Sequence, residues 1–266
     1  MNGPKLACPN LYSDINKLKS FAFDCGFSGI DWTLRPEDLP RNQFERARLT
    51  NAVSKLAPLE IRYHVFFPGY ELGDVDVRAA QEARNRFYQA LDLISELSGR
   101  FATVHVGLGR DSKEGISWEE TIAGLRGVAG KARQLGISVC LENLVIGWTG
   151  RPDLYEKLIR ESGCWSTLDI GHAQACKSVT GKAIDVRDFA LPHPGKILNA
   201  HIYHEETAAG HIPPHDYSEL DDRLRLLLGL PRCDWWVLEL RDQEDLLQTL
   251  DCARGFLQAC TARAAS

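Results

Sequence analysis

Segments typical of β-strands and of α-helices alternate along the whole chain of 266 residues. Each strand-like run is short and apolar, and a longer run with helical spacing of apolar residues follows it. The eight strand-like runs are residues 5–11, 29–33, 61–67, 101–106, 138–142, 166–169, 197–203 and 235–240. Eight strand–helix units in a row predict one α/β domain over residues 1–266, a (β/α)8 TIM barrel. A doubly wound sheet is the alternative, because alternation alone does not show that a sheet closes.

Two stretches between the strands carry more specific expectations. After the second strand comes Pro36, and a helix is predicted through Phe44 and Val53 to Leu56. Residues 172–195 have weaker periodicity, so we expect a less regular region there, with a short helix at residues 185–189.

Composition and charge exclude several classes of protein. A formal net charge of −5, with no run of lysine or arginine, makes nucleic acid an unexpected partner. The first ten residues lack the apolar segment of a signal peptide, and no apolar stretch is long enough to span a bilayer. The eight cysteines are scattered and form no CxxC pair, so we expect reduced thiols. These features predict a cytoplasmic protein and leave its oligomeric state open.

Residues of the kinds that bind metals lie where predicted strands end. Glu142 and Glu239 each follow an apolar run, where a carboxylate is costly unless it is paired or bound to a metal. Asp169 ends the strand at 166–169, and His172 comes three residues later, past a Gly171 that we expect to turn the backbone. His201 lies in the seventh strand. Because strand ends converge on one face of a barrel, these side chains are predicted to meet there.

Three further histidines follow the same pattern. His64 and His105 lie at the ends of the third and fourth strands, and His211 lies in the loop after the seventh. Taken singly, His64 and His105 are better explained as hydrogen-bonded core histidines. Together with Glu142 they form a candidate group on three adjacent strands.

The order of these motifs resembles that of the xylose-isomerase-like TIM-barrel superfamily, which includes sugar isomerases and epimerases and the endonuclease IV nucleases. The resemblance rests on LEN at 141–143, LDIGHA at 168–173, the histidine of NAHIYH at 199–204 and LEL at 238–240. It implies that one divalent metal (Mn, Mg, Co or Zn) is bound by Glu142, Asp169, His201 and Glu239. It also implies that Glu142 and Glu239 move a proton at a carbon next to a carbonyl. His172 would line the substrate pocket or, as in the nucleases, bind a further zinc.

The resemblance to the nucleases is partial. His64, His105 and His211 match positions that bind extra zinc ions in endonuclease IV, which leaves a second metal open here. The nuclease pattern has an aspartate two positions before His211, where this chain has Ala209. We therefore expect one metal, with His64 and His105 hydrogen-bonding substrate hydroxyls.

The chain also departs from the epimerases, which often carry an arginine after strand seven. No lysine or arginine occurs from residue 197 to 222. Cations for a substrate phosphate would have to come from elsewhere, and the candidates are Arg110, Lys113, Arg151 and Arg241. An unphosphorylated sugar or polyol acid is equally compatible.

The function predicted from the sequence is therefore a metal-dependent isomerase or epimerase acting on a small sugar or keto acid. Glu142 and Glu239 would be catalytic, and the predicted substrate-binding residues are His64, His105, His172, His211 and Arg241. A metal-dependent hydrolase or lyase on the same scaffold and a non-catalytic metal-binding barrel remain as alternatives.

Overall fold

A computed structural model describes residues 3–107, 115–181 and 184–265. Eight parallel strands of these residues form a closed barrel, which confirms the predicted (β/α)8 fold over the doubly wound alternative. The barrel strands are β1 (Lys5–Pro9), β2 (Gly29–Leu34), β3 (Glu60–Val65), β4 (Phe101–Val104), β5 (Ser138–Glu142), β6 (Trp165–Asp169), β7 (Ile197–Ile202) and β10 (Trp235–Leu238). Their order around the barrel is β1-β10-β7-β6-β5-β4-β3-β2.

Helices connect the strands and pack around the barrel. They are α1 (Ile15–Asp24), α2 (Gln43–Ser54), α3 (Val77–Glu96), α4 (Trp118–Gln134), α5 (Pro152–Ser162), α6 (Ile170–Thr180), α7 (Val186–Ala190), α8 (Asp221–Gly229) and α9 (Gln243–Ala265). The long helix α3 buries Ala83, Phe87, Leu91 and Ile94 on one face, as helical spacing requires. No helix in the described ranges is long and apolar enough to cross a membrane.

The helix predicted through Phe44 and Val53 to Leu56 is α2, which ends two residues earlier, at Ser54. Pro36–Asp38 forms one turn of 3-10 helix, and α2 begins only at Gln43. Pro40 interrupts the segment because it disfavours a helical conformation in the residue before it. Asn42 then caps α2 by accepting a hydrogen bond from the backbone N–H of Glu45.

The irregular region predicted at residues 172–195 is largely helical. Helix α6 starts directly after β6, where a carboxylate oxygen of Asp169 accepts a hydrogen bond from the backbone N–H of His172. The short helix expected near residues 185–189 is α7, which Asp185 caps. Gly171 lies inside α6 and so does not turn the chain. Its lack of a side chain serves packing instead, because a Cβ there would lie 2.1 Å from the ring of Tyr203.

After β7 the chain forms a small hairpin that the sequence interpretation missed. It consists of β8 (Glu205–Thr207) and β9 (Gly210–Ile212), which pair antiparallel outside the barrel. Ala208 and Ala209 form its two-residue turn, and Gly210 has a φ of +104°, which favours glycine. The hairpin is too short to show the alternation by which strands are recognised.

A polar layer fills the barrel interior near its amino-terminal end. Arg62 on β3 donates a hydrogen bond of 2.5 Å to the side-chain oxygen of Asn199 on β7. Its guanidinium lies between the rings of Phe101 and Trp235, at 3.9 and 4.6 Å from their centroids. This layer fills the end of the barrel opposite the carboxyl ends of the strands, where active sites of TIM barrels lie.

Candidate metal centre and active site

A cavity of about 540 Å³ opens at the carboxyl ends of the barrel strands. It is lined by all the residues predicted to be catalytic or to bind substrate: His64, His105, Glu142, His172, His211, Glu239 and Arg241. One part of its wall is apolar and is formed by Phe66, Leu144, Val145 and Ile146. Convergent polar groups against an apolar wall are typical of a small-molecule site.

Below this cavity the four predicted metal ligands lie together. Ligand atoms of Glu142, Asp169, His201 and Glu239 all lie within 4.8 Å of one another. His201 Nδ1 is 2.8 Å from Glu239 Oε2, 3.4 Å from Glu142 Oε2 and 3.7 Å from Asp169 Oδ2. The register of the strands explains why Asp169 and His201 lie together, because Asp169 on β6 pairs directly with His201 on β7.

The orphaned polar atoms of this group fit a metal. Neither ring nitrogen of the fully buried His201 makes a hydrogen bond, and neither does Oε2 of Glu239. Nδ1 and Oε2 nevertheless lie 2.8 Å apart and face the same point. Ligands about 2.0–2.2 Å from one ion are separated by about 3–3.5 Å, close to the distances found here. Carboxylate oxygens mixed with imidazole nitrogen suit Mn, Co or Zn.

The charges of these four residues also favour the binding of a cation. Burial opposes ionisation of Glu142, but the charges of His201 and His105 outweigh it and hold the pKa of that carboxyl well below its usual range. Glu239 is partly buried, which also opposes its ionisation, but mainly the charge of His201 lowers its pKa. Burial alone would lower the pKa of His201, yet Glu142 and Glu239 raise it well above the ordinary value. The carboxylates are therefore ionised at neutral pH and attract a cation.

His64 and His105 reach the same carboxylate from the other side. Their Nε2 atoms are 3.2 Å apart, and they lie 3.5 and 3.1 Å respectively from Glu142 Oε2. Asp31 of β2 approaches the other ring nitrogen of His64 at 3.4 Å. Asp31 was not among the predicted site residues, although it too is a carboxylate in an apolar strand.

Asn143, His172 and Tyr203 hold Asp169 in place. The side-chain amide of Asn143 forms two hydrogen bonds of 2.8 Å with the backbone of Asp169. The Tyr203 hydroxyl donates to Asp169 Oδ2 at 3.0 Å, and the backbone N–H of His172 donates to Oδ1 at 2.6 Å. Both carboxylate oxygens are thereby oriented, as is usual for metal ligands.

Two of the four cations proposed from the sequence lie in the described residues, and one of these two lines the cavity. Arg241 is exposed at the rim and lines it. Arg151 is exposed and forms an ion pair with Asp153 at 3.2 Å. Arg110 and Lys113 lie outside the described residues.

Comparison with known proteins points to one family. Residues 20–235 match the family described as the xylose isomerase-like TIM barrel. An uncharacterised protein from Methanocaldococcus jannaschii is 27% identical over 168 residues, which are 63% of this chain and 71% of that protein.

Solved structures share the fold over nearly the whole chain. A D-tagatose 3-epimerase-like protein superposes with a TM-score of 0.75 at 15% identity, covering 98% of this chain and 99% of that one. For endonuclease IV from Thermus thermophilus the TM-score is 0.68 at 17% identity, with coverage of 96% and 100%. The IolI protein with a bound zinc atom gives 0.67 at 16% identity, with coverage of 95% and 96%. At these identities the likeness establishes the fold, and activity has to be argued from the site.

Proposed function

The chain belongs to the xylose isomerase-like TIM barrel family, and from this premise we propose that it is a metal-dependent isomerase or epimerase of a small sugar or keto acid. The observation that carries the proposal is the pair of ionised carboxylates, Glu142 and Glu239, in one cavity. Glu142 ends β5 and Glu239 follows β10, with β6 and β7 between them. The two carboxylates therefore approach a ligand from different sides.

Glu142, Asp169, His201 and Glu239 would hold one divalent ion. When bound, the ion supplies electrophilic polarisation of the substrate's carbonyl and hydroxyl oxygens. The likeness in fold to the zinc-bound IolI structure and to the D-tagatose 3-epimerase-like protein supports this assignment.

The chemistry assigned to the protein is proton transfer. One of the two glutamates accepts the proton from the carbon next to the carbonyl, and the electron pair moves towards the carbonyl oxygen. The other glutamate delivers a proton to the opposite face of that carbon or to the neighbouring carbon.

The histidines around the cavity orient the substrate in this scheme. His64, His105, His172 and His211 hydrogen-bond its hydroxyl groups, and Arg241 contacts an acidic group at the rim.

Hydrogen exchange tests the proposal. Ketoses and keto acids incubated with the metal-loaded protein in deuterated water should gain deuterium next to the carbonyl, as measured by NMR. Glu142→Gln and Glu239→Gln should each slow this exchange by about 100-fold or more. Glu205→Gln, a change on the hairpin outside the proposed machinery, is the matched control and should exchange at the wild-type rate. Absence of exchange across the whole substrate panel would contradict an isomerase.

A second candidate function is favoured by the cluster of His64, His105 and Glu142. Their three ligand atoms lie within 4.8 Å of one another, which suits a second ion bridged by Glu142. Two ions about 3.5–4 Å apart are typical of hydrolytic sites. The likeness in fold to endonuclease IV suggests an abasic-site oligonucleotide as the substrate for testing this candidate function.

The two candidate functions predict different results for a double variant, His64→Asn with His105→Asn. An isomerase that uses these rings for hydrogen bonding should keep its metal content and lose affinity for the sugar. Loss of an ion in the double variant, together with cleavage of an abasic-site oligonucleotide by the wild type, would favour the hydrolase. A wild-type protein that binds metal but shows neither activity would support the remaining alternative, a non-catalytic metal-binding barrel.

A further inference from the structure

Arg223 in α8 is a buried arginine whose hydrogen bonds all go to uncharged acceptors. Its Nη1 donates to the backbone carbonyls of Ile170 at 3.2 Å and of His204 at 2.6 Å. Its Nη2 donates to the backbone carbonyl of Glu219 at 2.8 Å and to the ring nitrogen Nδ1 of His204 at 3.3 Å. The hydrogens on Nη1 and Nη2 thus each have an acceptor, in the fixed fork that a guanidinium provides and an ammonium does not.

These acceptors belong to three segments that are separate along the chain. Ile170 is the first residue of α6, directly after the end of β6. His204 lies between β7 and β8, and its backbone N–H donates to the carbonyl of Ile212 at 2.8 Å, which closes the base of the hairpin. Glu219 ends the 3-10 turn that precedes α8. Arg223 therefore ties the hairpin to the end of β6 and to its own helix.

The hairpin depends on contacts outside itself, because in the described ranges its two strands pair only with each other. Each strand has three residues, and an isolated two-stranded hairpin is at best marginally stable in water. Four residues of the hairpin nevertheless line the cavity, namely Glu206, Thr207, Ala208 and His211. The position of the hairpin therefore sets the shape of one cavity wall.

Taking the guanidinium of Arg223 out of water costs free energy. Burial lowers the pKa of this group, and the nearby carboxylates of Asp169, Glu205 and Glu219 counteract that effect only in part. A buried charge commonly stabilises a fold less than an apolar side chain of similar size would. The benefit of Arg223 is therefore expected in the geometry that it fixes.

We propose that Arg223 is a positioning residue, which holds the hairpin over the cavity and so places Glu206 and His211 against a bound substrate. In the structure Glu206 Oε2 lies 2.5 Å from His172 Nε2, and His211 Nδ1 donates to the backbone carbonyl of Glu239 at 2.5 Å. Loss of the guanidinium should let the hairpin leave this arrangement while the barrel stays intact. The effect on catalysis rests on the proposed function, whereas the position of the hairpin can be measured without a substrate.

Amide hydrogen exchange, followed by mass spectrometry on the full chain, tests the proposal. In Arg223→Ala the amides of residues 204–212 should exchange about 10-fold faster than in the wild type, while the barrel strands keep the wild-type rate. Guanidinium ion at low concentration, which can enter the space left by the side chain, should slow the hairpin again, and the same concentration of urea should not. Arg225→Ala is the matched control, because Arg225 lies on the same helix but is exposed and pairs with Asp221.

Kinetics with an accepted ketose or keto acid add a readout that a loss of fold would not give. Arg223→Ala should raise KM by about 10-fold and lower kcat far less than Glu142→Gln does, and guanidinium ion should restore KM. If the alanine variant does not fold, Arg223→Met keeps the apolar stem of the side chain, and its hairpin amides should also exchange faster than those of the wild type.

Two results would overturn the role of Arg223. One is a wild-type rate of hairpin exchange in a folded Arg223 variant, and the other is faster exchange that extends equally to the barrel strands. If the hairpin of Arg223→Ala exchanges faster and guanidinium ion reverses the effect, but the wild type deuterates no ketose or keto acid, then Arg223 positions the hairpin and the proposed function is wrong. Deuteration by the wild type, beside an unchanged hairpin in Arg223→Ala, would keep the proposed function and reject the role of Arg223.

Discussion

At the scale of single residues, Gly171 links the packing of helix α6 to the candidate metal centre. A Cβ at this glycine would lie 2.1 Å from the ring of Tyr203, and the Tyr203 hydroxyl orients Asp169. Inside a helix, replacing glycine by alanine normally stabilises by about 1 kcal/mol. We expect the opposite for Gly171→Ala, a loss of about 1–3 kcal/mol from overpacking, with weaker metal binding. Urea unfolding and zinc titration measure the two effects.

Gly130 provides the control for that substitution. It lies inside α4, and a Cβ there would have no neighbour within 4 Å. Gly130→Ala should therefore raise the free energy of unfolding. A second replacement, Tyr203→Leu, should restore stability to Gly171→Ala without restoring metal binding. If Gly171→Ala is as stable as the wild type, Tyr203 has another place to move to and the packing argument is wrong.

Residue types at strand ends predicted much of the candidate site, but not all of it. Glu142 and Glu239 stood out because each follows an apolar run, and the structure brings them together with Asp169 and His201. Asp31 carries the same signal, yet it was missed because it lies within a strand and not at its end. Glu206 carries no such signal. The hairpin brings it to the cavity, where its Oε2 lies 2.5 Å from His172 Nε2, and a three-residue strand leaves no periodicity in the sequence.

At the scale of secondary structure, the amino-terminal end of the barrel is tied together by charged side chains. Glu60 at the start of β3 accepts from Lys5 on β1 at 2.5 Å and from Arg62 at 2.9 Å. Burial opposes ionisation of Glu60, but the hydrogen bonds from Lys5 and Arg62 outweigh it and lower the pKa of that carboxyl. A carboxyl whose pKa is lower in the folded state stabilises the fold above its unfolded pKa and loses that contribution as the pH falls.

Glu60→Gln should therefore cost about 1 kcal/mol of stability at neutral pH, a modest value because the side chain is one-third exposed. The difference from the wild type should shrink as the pH falls below 4.5, the ordinary value for this group. Urea unfolding at a series of pH values measures it. Glu96→Gln, which removes a more exposed ion pair with Arg46 on the outer helices, is the control with the smaller effect. A difference that stays constant down to the lowest pH would exclude the ionised Glu60 as its cause.

Strands were predicted better than the segments that join them, for a physical reason. Barrel strands are buried on both faces, so they appear as apolar runs that depend little on their neighbours. Helix α6 was missed because its start depends on Asp169, whose side chain accepts from the His172 backbone N–H only after β6 is in place. The start of α2 at Gln43 could also have been predicted, since Pro40 was visible in the sequence.

At the scale of the whole molecule, closure of the barrel creates the candidate metal centre. The ligands come from β5, β6 and β7 and from the residue after β10, which are consecutive strands around the barrel. Glu142 and Glu239 are far apart in the chain and meet only when this arc is complete. Both ring nitrogens of His201 and one carboxylate oxygen of Glu239 are buried in this arc without hydrogen bonds. Such groups oppose folding unless a cation satisfies them.

Metal removal should therefore lower the stability of the whole domain. A ligand present at about 100 times its dissociation constant stabilises the folded state by about 2.7 kcal/mol, which for a chain of this size corresponds to about 5–10 °C in Tm. We expect a chelator to lower the Tm of the wild type by this amount and Zn²⁺ to restore it, as followed by calorimetry. Asp169→Ala and Glu239→Gln should bind far less zinc while folded, and their Tm should respond little to either treatment. Glu205→Gln should behave as the wild type does. If Asp169→Ala and Glu239→Gln both keep their full metal content and the wild-type response, then the ion that stabilises the domain is bound elsewhere, and the assignment of these four ligands is wrong.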